Sequence, residues 1–251
     1  MVEGSKQVLG EQVRRRDRAS KVVSDPREAL SVVQSGMRLL VGGFGLCGVP
    51  ETLLATLAEL SVGDFEVVSN NCGVDGFGLG WLLEAHKLRQ ITASYVGENR
   101  EFERQLLLGS IDVCLTPQGT LAERLRAGGA GLAAFYTPTG VGTSYAENKE
   151  IRVFEGKPFL LERALRGHIA LVKAEVGDRS GNLIYRGTAR NFNPLCAMAA
   201  DYTIAEVESL VDEGALEPDS VHTPGIFVDA ILHSPGEKRI ERLKEQMAAV
   251  N

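Results

Sequence analysis

Leu39-Leu40-Val41-Gly42-Gly43-Phe44-Gly45-Leu46-Cys47-Gly48-Val49-Pro50-Glu51 reads as a buried strand, a glycine turn and the start of a helix. Leu39 to Val41 form a short apolar run of the kind that is covered on both faces. Four glycines follow within seven residues. Pro50 sits where the first helical position is expected, and Glu51 falls in the first turn, where the helix dipole favours an acid. Thr52 to Leu60 continue with apolar residues at helical spacing.

Glycines let backbone N–H groups approach a ligand closely. Gly43-x-Gly45-x-x-Gly48 matches the dinucleotide fingerprint, but that reading needs an acid at the end of a second strand about twenty residues on. The stretch in that place, Val67-Val68-Ser69-Asn70-Asn71, ends in amides. A P-loop is excluded because no Gly-Lys-Ser/Thr follows. Two readings stay open: a turn that brings bare backbone against a reacting group on another surface, and a tight corner with no ligand.

Working outward, Ser24-Asp25-Pro26 announces a helix over Arg27 to Gln34, which Gly36 stops. After the Pro50 helix, strands are predicted at Phe65–Ser69, Ile91–Val96 and Ile111–Leu115, and helices at Gly78–Ala85, Asn99–Leu108 and Thr120–Ala127, the last closed by Gly128-Gly129. This strict alternation predicts an α/β fold, a mostly parallel sheet with helices on both faces. The second half is mixed. It has a hairpin of Ile151–Phe154 and Phe159–Leu161 turning at Gly156-Lys157-Pro158. Strands follow at Ile169–Val176, Leu183–Tyr185, Thr203–Val207 and Ile226–Val228, with a helix at Pro194–Ala200 and a charged terminal helix from Glu237 to Ala249. Residues 1–23 read as a flexible polar tail and 24–251 as a single domain, since no polar linker divides them.

Composition narrows the function classes. The 251 residues are 44% hydrophobic and 24% charged with a net charge of −6, an ordinary globular balance without the basic face that nucleic acid requires. The longest apolar stretches fall short of a membrane span. The four cysteines, Cys47, Cys72, Cys114 and Cys196, lack any C-x-x-C spacing, and the four histidines form no ligand pattern. Reduced cysteines in a cytoplasmic protein, and no metal, are the expectation. The arginine-rich start carries Glu3, Glu11 and Asp17, which argues against a transit peptide.

In an open α/β sheet, ligands bind at the carboxyl ends of the strands. The residues expected there are Gly42-Gly43-Phe44, Asn70-Asn71, Glu98-Asn99 and Gln118. Bare backbone and neutral amides suit a carboxylate or an oxyanion developing during acyl transfer, since they donate hydrogen bonds without adding charge. Asn and Gln are also common turn formers. Glu98 is the only acid of the set, and it is expected to cap the following helix rather than act as nucleophile. There is no G-x-S-x-G, H-E-x-x-H or kinase signature. The chain reads as half an active site.

The stretch Gly36 to Pro50, with Gly42-Gly43-Phe44, Gly48 and Pro50, resembles the signature of the family I CoA-transferases. The likeness continues through Ser69-Asn70-Asn71-Cys72-Gly73-Val74-Asp75, Ser94-Tyr95-Val96-Gly97-Glu98-Asn99, Thr116-Pro117-Gln118-Gly119-Thr120, Tyr136-Thr137-Pro138-Thr139-Gly140, Gly181-Asn182-Leu183 and Ala189-Arg190-Asn191-Phe192-Asn193-Pro194. It covers about residues 24–235, and it is nearest the A (alpha) subunits of the branch that exchanges succinyl-CoA with 3-oxoacids. The resemblance implies a CoA-transferase-like fold and a transfer through a glutamyl-CoA thioester, with coenzyme A as substrate and no cofactor. It implies that the nucleophilic glutamate lies in a Ser-Glu-Asn-Gly motif of a separate B subunit, a motif this chain lacks, and that the two chains form a heterotetramer. No residue of this chain is then expected to be catalytic. Asn70, Asn71 and Gln118 are implied to form the substrate and oxyanion pocket. The backbone turn of Gly42, Gly43, Phe44, Gly45 and Gly48 is implied to face it. Other acid pairs, such as acetate with acetoacetate or 3-oxoadipate, and a stand-alone nucleotide binder remain as alternatives.

Overall fold

A computed structural model of the protein describes residues 20–97 and 99–236. The main sheet has the strands β1 (Val22–Val23), β2 (Arg38–Val41), β3 (Phe65–Val68), β4 (Leu88–Ala93), β5 (Asp112–Leu115), β9 (Gly167–Asp178), β10 (Leu183–Ile184), β11 (Ala200–Val211) and β12 (Ala230–His233). Their order is β1-β12-β11-β9-β2-β3-β4-β5. Every pair along that path is parallel, and only β10 runs antiparallel, on the end of β9. A second, three-stranded antiparallel sheet comprises β6 (Ala134–Thr137), β7 (Ile151–Phe154) and β8 (Lys157–Arg163).

The helices are α1 (Pro26–Ala29), α2 (Glu51–Glu59), α3 (Leu79–Glu84), α4 (Arg100–Leu107), α5 (Gln118–Gly129) and α6 (Asn193–Ala199). Strand residues alternate between the two faces, as the two-residue period demands. Leu39, Val41, Val67, Ile169 and Leu171 pack into one core with Leu53, Leu54 and Leu57 of α2, Leu82 and Leu83 of α3 and Phe102 of α4. Leu40, Val68, Ala170 and Val172 pack into the other with Leu121 and Leu125 of α5 and Cys196 and Ala197 of α6. Each fully buried leucine contributes roughly 1.5–3 kcal/mol by leaving water.

Several expected boundaries move, each for a local reason. Asp25 caps α1 by accepting from Arg27 N–H, but the α-helix runs only to Ala29 and continues as a 3₁₀ turn over Leu30–Val32. Pro50 stands one residue before α2, at its cap. The strand expected at Ile91–Val96 lies three residues earlier, as β4, so Asn99 is at no strand end. It caps α4 instead, its side chain accepting from Phe102 N–H. Gly128 and Gly129 do not stop α5 but lie in its last turn. A Cβ at Gly128 would overlap the Leu165 carbonyl, and one at Gly129 would press on Met198, so these glycines permit close packing. The hairpin turns at Glu155-Gly156, both with positive φ, and Pro158 is already in β8. Ile226–Val228 is not a strand. Gly225–Phe227 is a 3₁₀ turn, and the strand is β12, paired with β11. Within residues 1–23, Val22 and Val23 form β1 at the edge of the sheet. The terminal helix expected from Glu237 lies outside the described residues.

Candidate active site

The parallel neighbours β2, β3, β4 and β5 end side by side, so the loops that follow them share one rim. Phe44 and Gly45 follow β2, Asn70 and Asn71 follow β3, Ser94 and Tyr95 follow β4, and Gln118 opens α5 after β5. These seven residues line one cleft of about 330 Å³. Asn70, Asn71 and Gln118 are thus brought together as three neutral amides in one place. None of the described residues that line it is an acid or a base.

The amides are fixed to different degrees. Asn70 is buried, and its Nδ2 donates to Ser94 Oγ at 2.9 Å. The Asn70 carbonyl accepts in return from Ser94 Oγ and from the N–H groups of Ser94 and Tyr95, which ties the end of β3 to the end of β4. Asn71 forms an Asx turn, its Oδ1 accepting from Gly73 N–H at 3.2 Å. Gln118 is exposed as the first residue of the twelve-residue helix α5, whose N-terminal dipole adds positive potential at the cleft. Phe44 and Tyr95 stand on the rim with 48% and 55% of their surface exposed. Large apolar groups in that state suit a surface that another molecule covers.

Ser94 and Tyr95 were missed by sequence reading because the third strand was set too late, which hid them inside it. The signal was Leu88, which is buried where the strand begins, opposite a register shift between Phe65 and Glu66. Glu98 lies outside the described residues, and Asn99 is spent as a cap.

The glycine turn divides unequally. Phe44 and Cys47 exchange backbone hydrogen bonds, and Gly45 joins the amide cleft. Gly42 and Gly43 reach only a crevice of about 10 Å³ behind Asn71. Their N–H groups are taken up, by Leu171 O at 3.0 Å and by Asn191 Oδ1 at 3.1 Å. Gly48 lies on the far side of the turn, against Ala189. Of the five turn residues expected to face the site, Phe44 and Gly45 line the amide cleft and Gly42, Gly43 and Gly48 support them from behind. The Gly43 N–H that a dinucleotide would need is already bonded within the chain.

The sequence profile of the family described as Coenzyme A transferase matches residues 23–234. The chain belongs to the coenzyme A transferase family. This transferase chain is 56% identical over 230 residues to the A subunit of the succinyl-CoA:3-ketoacid coenzyme A transferase of Helicobacter pylori strain J99, covering 91% of this chain and 99% of that one. It is 54% identical to the A subunit of the probable succinyl-CoA:3-ketoacid coenzyme A transferase of Bacillus subtilis strain 168, over 91% of this chain and 97% of that one. Among solved structures, the fold is similar to the acyl-CoA transferase YdiF apoenzyme of Escherichia coli O157:H7. The TM-score is 0.78 at 20% identity, over 88% of this chain and 48% of that one, so the transferase chain spans about half the length of that enzyme.

A second cleft of about 360 Å³ flanks the opposite side of the turn, lined by Leu46, Cys47 and Gly48 and by charged residues including Lys173, Glu175 and Arg186. Lys173 is itself buried, its Nζ 3.5 Å from Oε1 of the buried Glu206. Glu206 also accepts from the N–H groups of Thr52 and Leu53, so it caps α2 from the neighbouring β11. Burial pushes the Glu206 carboxyl above the usual carboxylate range, while Lys173 and the two backbone N–H groups pull against it. Burial pushes the Cys72 and Cys196 thiols up to about 12. Among the described residues there is no cluster of His, Cys, Asp and Glu fit to hold a metal ion, and no helix is long and apolar enough to cross a membrane.

Proposed function

We propose that the chain is the A subunit of a heteromeric 3-oxoacid CoA-transferase. It moves CoA from succinyl-CoA to a 3-oxoacid such as acetoacetate, with the nucleophilic glutamate supplied by a B subunit. The observation that carries this reading is the cleft of three amides, with no acid or base among the described residues that line it, rimmed by two exposed aromatic rings. The names of the relatives that match nearly end to end support the acid pair and the subunit.

The chemistry follows from the resemblance and the donor set. The partner's glutamate carboxylate attacks the succinyl thioester carbonyl, and a tetrahedral oxyanion forms. Collapse releases the CoA thiolate and leaves a mixed anhydride. The thiolate attacks the glutamyl carbonyl of that anhydride, expels succinate and leaves glutamyl-CoA. The 3-oxoacid then runs the same steps in reverse. Overall one thioester is exchanged for another, so the transfer calls for no ATP, metal or redox cofactor, and coenzyme A is a substrate. Neutral donors stabilise each oxyanion without drawing charge from the attacking carboxylate. Asn71 and Gln118 are assigned to orient the acid and donate to the oxyanion, and Asn70 to hold the rim through Ser94. A cytoplasmic heterotetramer completes the proposal.

The test measures acetoacetate-dependent consumption of succinyl-CoA by the purified chain, alone and after co-expression with a B-type chain bearing Ser-Glu-Asn-Gly. Activity only in the complex is expected, and turnover by the chain alone overturns the half-site reading. Acetate and 3-oxoadipate as competing acceptors check the acid pair, because faster turnover with either reassigns the substrate.

A further inference from the structure

The stretch Asn191-Phe192-Asn193 lies far along the chain from the glycine turn, yet both of its asparagines are committed to that turn. Asn191 Oδ1 accepts from Gly43 N–H at 3.1 Å and from Phe192 N–H at 2.6 Å. Its Nδ2 donates to Cys47 O at 3.0 Å and to Thr188 O at 2.8 Å. One side chain thus pins the turn at both feet of the Phe44–Cys47 hairpin. Asn193 is fully buried beside it. Its Nδ2 donates to Gly48 O at 3.0 Å and Ala189 O at 2.9 Å, and its Oδ1 accepts from Lys173 N–H at 2.9 Å. Strand β2 accompanies β9 only as far as Leu171, with Gly42 N–H donating to Leu171 O just beyond. The Asn193 amide takes over the exposed edge of β9 where β2 departs. This accounts for Gly42, since a Cβ there would overlap Asn193 Oδ1.

The two amides therefore set where the hairpin tip stands relative to β3 and α5. Phe44 and Gly45 belong to that hairpin, and they form the wall of the cleft on the β2 side, away from Gln118 after β5. A backbone hairpin of four residues has few internal restraints of its own, so its height over the cleft is fixed by what clasps its base.

We propose that Asn191 and Asn193 are positioning residues of the transfer reaction, holding the glycine turn so that Phe44 and Gly45 complete the amide cleft. The inference rests on transfer taking place in that cleft. Neither residue is among those that line the cleft. Loosening the clasp lets the wall move by a fraction of its own thickness, which misplaces the reacting groups without removing any donor.

The experiment uses the complex with the B-type chain and counts active sites by the glutamyl-CoA thioester formed with excess succinyl-CoA. Asn191→Ala is expected to lower kcat per counted site by about tenfold to a hundredfold, the cost of misplacing a wall by about 1 Å, with both KM values within about twofold. Asn191→Asp keeps the acceptor for Gly43 and Phe192 but sets a carboxylate oxygen against the Cys47 and Thr188 carbonyls, so it is expected to be no faster than Asn191→Ala. Thr203→Val is the stability control, because Thr203 Oγ1 donates to Ala197 O away from the cleft. It is expected to lower Tm and leave kcat per site unchanged. The proposal is overturned if Asn191→Ala and Thr203→Val give the same kcat per site, or if the Asp variant keeps the parent rate. An inactive wild-type complex counts against the functional reading, and the clasp is then judged by the rate at which iodoacetamide labels Cys47, the partly exposed thiol at the foot of the hairpin, in Asn191→Ala and the parent chain, where equal rates reject it.

Discussion

The two flanks of the glycine turn are built on opposite electrostatic plans. On one side, Asn70, Asn71 and Gln118 meet in a cleft with no charged residue among the described ones that line it. On the other, Lys173 and Glu206 sit buried beneath a cleft that also carries Glu175 and Arg186. Neutral donors leave an incoming carboxylate its nucleophilicity, so the first flank is suited to chemistry. A buried ion pair is costly to assemble and worse to break, so the second is suited to fixing how β9, β11 and α2 meet. Damage to the amide flank should appear in the rate, and damage to the charged flank in stability.

The largest effect expected is on the charged flank. Lys173→Ala strands the Glu206 carboxylate and should cost about 3–5 kcal/mol in urea unfolding. The Glu206 carboxyl already lies above the usual range because of burial, and losing Lys173 raises it further. A raised folded-state value means stability is present at low pH and lost as pH rises through it, so the Lys173→Ala deficit should be larger at pH 8 than at pH 5. Replacing both partners, as Lys173→Met with Glu206→Leu, should recover much of the loss. A double variant as unstable as the single one breaks the comparison.

Next comes the amide flank. Gln118→Ala in the complex should reduce kcat by about 10²-fold, the scale for removing one oxyanion donor. Because Gln118 is exposed, Tm should hardly change. A normal rate would demote the amides to turn formers. The smallest effect concerns the thiols. Cys72 and Cys196 are buried and pushed to about 12, whereas Cys47 and Cys114 are partly exposed. Iodoacetamide at pH 8 should label Cys47 and Cys114 alone. Above about pH 9 the unfolded thiols ionise while the folded ones stay protonated, so stability should decline as pH climbs toward about 12.

The sequence carried the alternation of strands and helices because buried parallel strands are short apolar runs, as Leu39 to Val41 shows. It carried Asn70, Asn71 and Gln118 because strand ends locate the ligand side of an open sheet. It did not carry β4 correctly, since Arg89 and Gln90 at the start of that strand look like loop, and the error hid Ser94 and Tyr95. Gly128-Gly129 looked like a helix stop because local propensity does not register the Leu165 carbonyl packed against them. The clasp of Asn191 and Asn193 on the glycine turn depends on contacts about 145 residues apart, which no local pattern encodes. For the same reason Gly43→Val is a poor probe of catalysis, because φ of +122° and the crowding of Val49 would strain the turn itself.

In the proposed half-site, this chain supplies an amide wall and another chain supplies the nucleophile. Trapping the covalent intermediate with succinyl-CoA in the reconstituted complex, followed by peptide mass spectrometry, tests it most directly. The CoA adduct is expected on a glutamate of the partner chain and none on this one. An adduct on Glu98 would contradict that assignment.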